Sequence, residues 1–227
     1  MMKTRMYTSR NDKYEWVYDR YKKYLTESVL DVGADKCRLR DYLKNTRYVG
    51  VGKEGCDINL DLDKKTIPGT YREYHASLCL DVLEHLENIH LVFDRICYLS
   101  DKYVLISLPN CYKGIYSYIL KGQYSKGTNL KFYGLPIEPP LDRHRWFFSG
   151  KEAYNFVKTR GTKNGFKLIE MIDTYKLSKK GIGDRKFFLL KKLMFFNAQI
   201  RERITDFESG TLFFLLERVD RIENKND

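Results

Sequence analysis

The sequence predicts an α/β protein: a doubly wound, mostly parallel, seven-stranded sheet, covered by helices on both faces as a three-layer α/β/α sandwich. Three observations carry that prediction. Short apolar runs alternate with amphipathic stretches along the chain, the pattern of repeated strand–helix–strand units. One run, Tyr103-Val-Leu-Ile-Ser-Leu108, is apolar throughout, as a strand buried on both faces should be. The third is Ser28-Val-Leu-Asp-Val-Gly-Ala-Asp-Lys-Cys-Arg-Leu-Arg40, in which an apolar strand carries Asp31 near its end and breaks at Gly33. It then runs into Leu39, Tyr42 and Leu43 at helical spacing. A strand, a glycine turn and a helix in that order form the ligand-binding corner of an open sheet, where glycine lets backbone approach a ligand beyond the strand's carboxyl end.

The elements follow in order. Trp16, Val17, Tyr21 and Leu25 share a helical register and predict an amphipathic helix over 12–25. Strands are expected at 28–32, at 47–51, and at 57–62, where the alternation of Asp-Ile-Asn-Leu-Asp-Leu is clean. A loop with Pro68-Gly69 leads to a strand at 74–80. Ile89, Val92, Phe93, Ile96 and Leu99 then form one apolar stripe on a helix from about 88 to 99. The buried strand 103–108 stops at Pro109-Asn110. Residues 110–148 are rich in Gly, Tyr and Pro with little periodicity, and a stretch of that length inside a compact domain reads as a binding loop or lid. Ser149-Gly-Lys-Glu152 fits a capping box opening a helix through Phe156 and Val157. A strand at 166–173 follows. Seven Lys or Arg and one Asp between Lys176 and Lys192 lead into an apolar helix near 186–200, so 176–205 reads as a basic and apolar helical insertion. The final strand is 211–217. No internal repeat is present, and residues 1–227 read as one domain.

Composition narrows the classes. The chain has 227 residues, enough for a full core. No run is long and apolar enough to span a bilayer, and the first ten residues lack the apolar core of a signal peptide. The five cysteines (Cys37, Cys56, Cys79, Cys97, Cys111) are odd in number and scattered, which argues for free thiols in a reducing compartment and against a disulfide frame or a zinc site. No metal ligand set is expected, and a soluble, cytoplasmic protein is. The net charge of +11 would suit nucleic acid or an anionic membrane surface as well as a merely solvated surface. The 18 tyrosines are spread over the whole chain without an RNA-binding module motif, so nucleic acid is not the favoured partner. Phe187-Phe-Leu-Leu-Lys-Lys-Leu-Met-Phe-Phe196 reads as a packed lid, with contact to a membrane surface as the alternative. Oligomeric state is not legible.

Leu80-Asp-Val-Leu-Glu-His-Leu86 after the fourth strand, followed by a helix and by Tyr103-Val-Leu-Ile-Ser-Leu-Pro-Asn110, resembles a class I S-adenosylmethionine-dependent methyltransferase. The likeness runs over roughly 25–218. Tyr133-Gly-Leu-Pro136 and Pro140-Leu-Asp-Arg-His-Arg-Trp-Phe-Phe-Ser149 are similar to a narrower branch, the small methyltransferase-domain proteins like methionine biosynthesis protein W. The resemblance implies the Rossmann-like methyltransferase fold and S-adenosylmethionine as cofactor. It implies that Gly33, Ala34 and Asp35 surround the methionine part of the cofactor. Asp61 and Leu62 would flank the adenine, and Leu80, Asp81 and Val82, with the segment as far as His85, would close over the sulfonium. Four positions depart from the family pattern. The second and third loop glycines are Asp35 and Cys37, the ribose-binding acid is Gly52 with Glu54 two residues on, and the Asp before the fourth strand's core is His75. Side chains at 35 and 37 are expected to narrow the loop, and Glu54 is the stand-in for the missing carboxylate.

Methyl transfer needs positioning and, for a hydroxyl or amine acceptor, a base. His85 either serves the acceptor or packs against the next helix. His144 lies between Arg143 and Arg145, two cations that favour its neutral, proton-accepting form and that are fit to clamp an anionic acceptor; the alternative is a structural turn with Asp142. Asn110 either donates to an acceptor oxygen or starts the turn after Pro109. Asp31 is expected to fix the cofactor loop and the cofactor's ammonium group, and Glu84 to sit at a helix start. The reading is methyl transfer to a small-molecule or saccharide-like acceptor. Its rivals are an RNA methyltransferase and a non-catalytic binding or scaffold protein on the same fold.

Overall fold

The computed structural model describes residues 10–112, 144–174 and 210–219. The basic insertion 176–205, most of the 110–148 loop and Arg143 lie outside the described residues. Helix α1 spans Arg10–Tyr21. Strands β1 (Ser28–Val32), β2 (Arg47–Gly52), β3 (Ile58–Asn59), β4 (Tyr74–Leu80) and β5 (Ser100–Leu108) follow, with α2 (Ile89–Leu99) between β4 and β5. Helix α3 (Gly150–Lys163), β6 (Phe166–Asp173) and β7 (Leu212–Arg218) complete the described elements. The seven strands form one sheet in the order β3-β2-β1-β4-β5-β7-β6. The first five are parallel, and β7 runs antiparallel between β5 and β6.

Alternation along the strands divides the core. Leu30, Val32, Ile106, Phe214 and Leu216 pack with the α2 stripe and with Ala153 and Val157 of α3. Val29, Leu78, Leu105, Phe213 and Leu215 pack with Trp16, Val17 and Tyr21 of α1. The expected three layers are therefore present. The predicted capping box forms as read: Ser149 Oγ accepts from Glu152 N and Glu152 Oε2 from Ser149 N. At the C-terminal end of α2, Arg218 on β7 donates to the carbonyl of Cys97 (2.7 Å) in the last turn and to that of Ser100 (2.6 Å), the residue that follows the helix.

Three expectations are corrected. The helix expected after Gly33 is a four-residue 3-10 turn, Arg38–Asp41, because Asp35 and Cys37 take φ of +51° and +50° and interrupt any right-handed run before it starts. The strand expected at 57–62 is paired only over Ile58–Asn59. Asp61 takes over beyond it, its side chain accepting from Asp63 N and its carbonyl from Lys64 N and Lys65 N, a local turn that competes with the ladder. The first helix ends at Tyr21 rather than near 25, although Leu25 is buried as predicted.

Candidate functional site

The chain leaves β1 outward through β2 and β3, then returns to β4 on the other side of β1. The carboxyl ends of β1 and β4 therefore flank a topological switch point, where open α/β sheets bind ligands. Gly33 leaves β1 there at φ +77°. Its Cα faces Val82 so closely that a Cβ would lie 2.2 Å from Val82 Cγ2 and 3.0 Å from Val82 Cβ. The N–H groups of Gly33 and Ala34 both donate to Val51 O, at 2.8 and 3.0 Å, so β2 holds the start of the loop.

Asp35 is exposed, and its carbonyl accepts from Cys56 Sγ at 3.3 Å. Cys37 is buried, its Sγ lying where a Cβ on Gly50 would fall. Burial and the neighbouring Cys37 side chain push the Cys56 thiol up to about 12, so it is a poor nucleophile at neutral pH.

Beneath the loop, Asp31 is buried and accepts from Tyr48 Oη at 2.6 Å. Burial pushes its carboxyl up to about 6, against the opposing pull of Tyr48 and of Lys13. The folded value lies above the unfolded one, so the folded state holds an extra proton between about pH 4 and 6. Stability from this residue thus falls as pH rises through that window, by about 3 kcal/mol for two units. Asp31→Asn is expected to flatten that slope, measured by urea denaturation at stepped pH; an unchanged slope would assign it to another group.

Asp81 follows β4 at φ +55°. It pairs with Lys13 Nζ of α1 at 2.6 Å and accepts from Ser107 Oγ of β5 at 2.5 Å. It therefore ties α1 and β5 to the end of β4. Glu84 and His85 sit in a 3-10 turn, Leu83–His85, and not at a helix start as expected; Glu84 is 1% exposed. Residues 144–146 lie directly on this turn. Arg145 N donates to Glu84 O (2.8 Å), Arg145 Nε to His85 O (3.0 Å) and Trp146 Nε1 to Leu86 O (2.6 Å), while Arg145 also pairs with Glu87. The Arg145 guanidinium is thus engaged in holding the two segments together, in place of the acceptor clamp expected of it. The result is that His85 and His144 stand edge to face with ring centroids 4.5 Å apart.

No protein-family model matches the sequence, and no curated protein does. Solved structures do resemble it. A methyltransferase described as SAM dependent, from Archaeoglobus fulgidus, superposes with a TM-score of 0.55 at 15% identity, over 92% of this chain and 95% of that one. Magnesium protoporphyrin IX methyltransferase of Synechocystis PCC 6803, with bound SAH, gives 0.54 at 14% identity, over 92% and 83%. This is the class I S-adenosylmethionine-dependent methyltransferase fold. A third structure, the [4+2]-cyclase SpnF, gives 0.50 at 11% identity, over 92% of this chain and 81% of that one. The methyltransferase fold therefore does not by itself name the reaction.

Within that methyltransferase fold the departures acquire physical reasons. Asp35 and Cys37 keep the left-handed backbone that glycine would supply, at a cost of roughly 1–2 kcal/mol each. The loop is thus glycine-shaped without its glycines, and Cys37 turns its side chain into the protein toward Gly50. A Cβ at Gly52 would meet Cys56 Sγ at 2.8 Å, so Cys56 occupies the room an acid there would need. Glu54 is exposed in the bend that follows β2.

Other predicted residues fall elsewhere. Asn110 is buried and its Oδ1 accepts from Tyr112 N, an Asx turn after Pro109. Leu62 helps line a cavity of about 230 Å³ with Lys64, Thr66, Asn88 and Arg95, at the flank of α2. Leu80 packs partly buried against the α1-side core. Sequence reasoning named His85 and His144 separately and missed Glu84 as their partner and Lys13 as a buried group at the crevice. The adjacent Glu-His pair at a strand end was the signal available for the first; nothing in the sequence marked the second.

Proposed function

We propose that this chain transfers a methyl group from S-adenosylmethionine to a small-molecule or saccharide-like acceptor in the cytoplasm, as a single domain with 110–148 over the acceptor side. The observation that carries this reading is the glycine-shaped loop at the switch point, where Gly33, Asp35 and Cys37 all hold positive φ beside the turn after β4. The cofactor would supply an electrophilic methyl on a sulfonium. Gly33, Ala34 and Asp35 would hold its methionine part, with Asp31 as the anion behind its ammonium. Glu54 would take the ribose hydroxyls, Asp61 and Leu62 the adenine, and Leu80, Asp81 and Val82 the sulfonium end. His85 and His144 would face the acceptor, with Asn110 shaping that side and Arg143 as its cation. Among the described residues no helix is long and apolar enough to cross a membrane.

Calorimetric titration with S-adenosylhomocysteine tests this before any acceptor is known. One molecule per chain is expected, with affinity about tenfold weaker in Glu54→Gln, the weight of one charge-assisted hydrogen bond. Gly52→Asp should tighten binding only in combination with Cys56→Ala, which clears the space. No binding by the parent chain would leave the second reading, a non-catalytic binding protein, which is favoured by the tying of the Gly33 and Ala34 N–H groups to Val51 O.

A further inference from the structure

We infer that Glu84, His85 and His144 form a binding site for one divalent transition-metal cation. One carboxylate oxygen and two imidazole nitrogens from these residues lie within 4.8 Å of one another. Glu84 Oε1 is 3.6 Å from His85 Nε2. That separation is too long for a hydrogen bond. It is, however, close to the roughly 3.4 Å between donor atoms around a tetrahedral ion with bonds of about 2.0–2.1 Å. The longest edge, at most 4.8 Å, needs to contract by up to about 1.4 Å, within reach of the 24%-exposed His85 imidazole turning about its side-chain bonds.

The donor set selects the ion. Two imidazoles and one carboxylate suit zinc, cobalt, manganese or iron rather than magnesium or calcium, which take oxygen ligands. Three protein ligands leave at least one position open, the pattern of a catalytic rather than a structural ion. The surroundings are those of a preorganised site. Arg145 and Trp146 fasten His144's segment to the turn that carries Glu84 and His85, through backbone carbonyls of that turn and the Glu87 carboxylate.

Cation binding does not depend on the methyl-transfer reading. Its use does rest on that reading: the site lies at the carboxyl end of β4, so the open position would take an acceptor hydroxyl and make its proton more acidic. A metal-assisted hydroxyl acceptor is thus favoured over an amine.

The test is titration of the chelator-treated full chain with Co²⁺, followed by visible absorption and competed with Zn²⁺. The expected result is one Co²⁺ per chain, a ligand-field spectrum without a thiolate charge-transfer band, and displacement by Zn²⁺. His85→Ala and His144→Ala should each weaken binding at least tenfold to a hundredfold with the thermal midpoint retained. The isosteric Glu84→Gln, which preserves packing, should weaken it at least tenfold and serves if either histidine variant fails to fold. A thiolate band, no binding by the parent at 100-micromolar Co²⁺ (an order-of-magnitude ceiling for a preformed site), or equal affinity in Glu84→Gln would overturn the site. Titrating the same metal-free samples with S-adenosylhomocysteine separates this failure from failure of the cofactor reading.

Discussion

Gly33→Val is expected to abolish S-adenosylhomocysteine binding and to cost about 3–5 kcal/mol of stability, the sum of left-handed strain and overpacking. The position is doubly restricted. Its φ of +77° disfavours any side chain, and a Cβ would fall 2.2 Å from a methyl of Val82. Val82 is β-branched and stiff at χ1, so it cannot swing aside cheaply. Gly33→Ala and the pair Gly33→Ala/Val82→Ala separate the two causes in urea denaturation. The pair should recover the overpacking share and leave roughly 1–2 kcal/mol of backbone strain. If Gly33→Ala is as stable as the parent, the close approach to Val82 is not what fixes this turn. If Gly33→Val binds the ligand normally, the cofactor sits elsewhere or nowhere.

The second large effect is expected from Lys13→Met. The Lys13 ammonium, on a residue only 8% exposed, bonds Asp81 and lies near the buried Asp31. Breaking a buried pair by removing one partner costs about 3–5 kcal/mol, and the Asp81 side chain, 36% exposed, recovers part of that from water. A loss of about 2–3 kcal/mol is therefore expected. It should be partly restored by adding Asp81→Asn, which removes the stranded charge. Additive losses in the double-mutant cycle would show that the pair is not coupled. Lys13→Met should also move the Asp31 titration further up, because the cation's opposing pull is gone.

The sheet was readable where an apolar or alternating run is bounded by clear turns, and the helix where its cap is local. The runs at 74–80 and 166–173 match their strands end to end, and Ser149 with Glu152 marks a helix start by chemistry confined to four residues. Reading failed where side chains compete with regular structure. Asp61 closes a turn inside a clean alternation, and Asp35 and Cys37 adopt a conformation that propensity assigns to glycine. The site was readable as a list and not as an arrangement. His85 and His144 each stood out, yet their meeting depends on Arg145 and Trp146 donating to carbonyls of the turn below, and carbonyls carry no residue signature. Glu84 was read from its place near a helix, whereas the 3-10 turn buries it. Arg143, on the same segment, lies outside the described residues.

The position of β7 also sets the order in which the molecule can be assembled. Leu108 pairs with Leu212, and β6 joins the sheet through β7. The parallel half, β1 to β5, can close on contacts available early in synthesis, and α3 can dock on α2 through Arg160 and Asp94, but β6 has no pairing edge until β7 arrives. Until then the edge of β5 presents the unpaired backbone of an uncovered sheet, a template for association with other chains. Such a contact, long in sequence, is slow to form because loop closure precedes its reward. Refolding from denaturant should therefore show an early phase that buries α2 and a later one that orders Trp16 of α1 against Phe213 of β7, whose rings stand 4.9 Å apart.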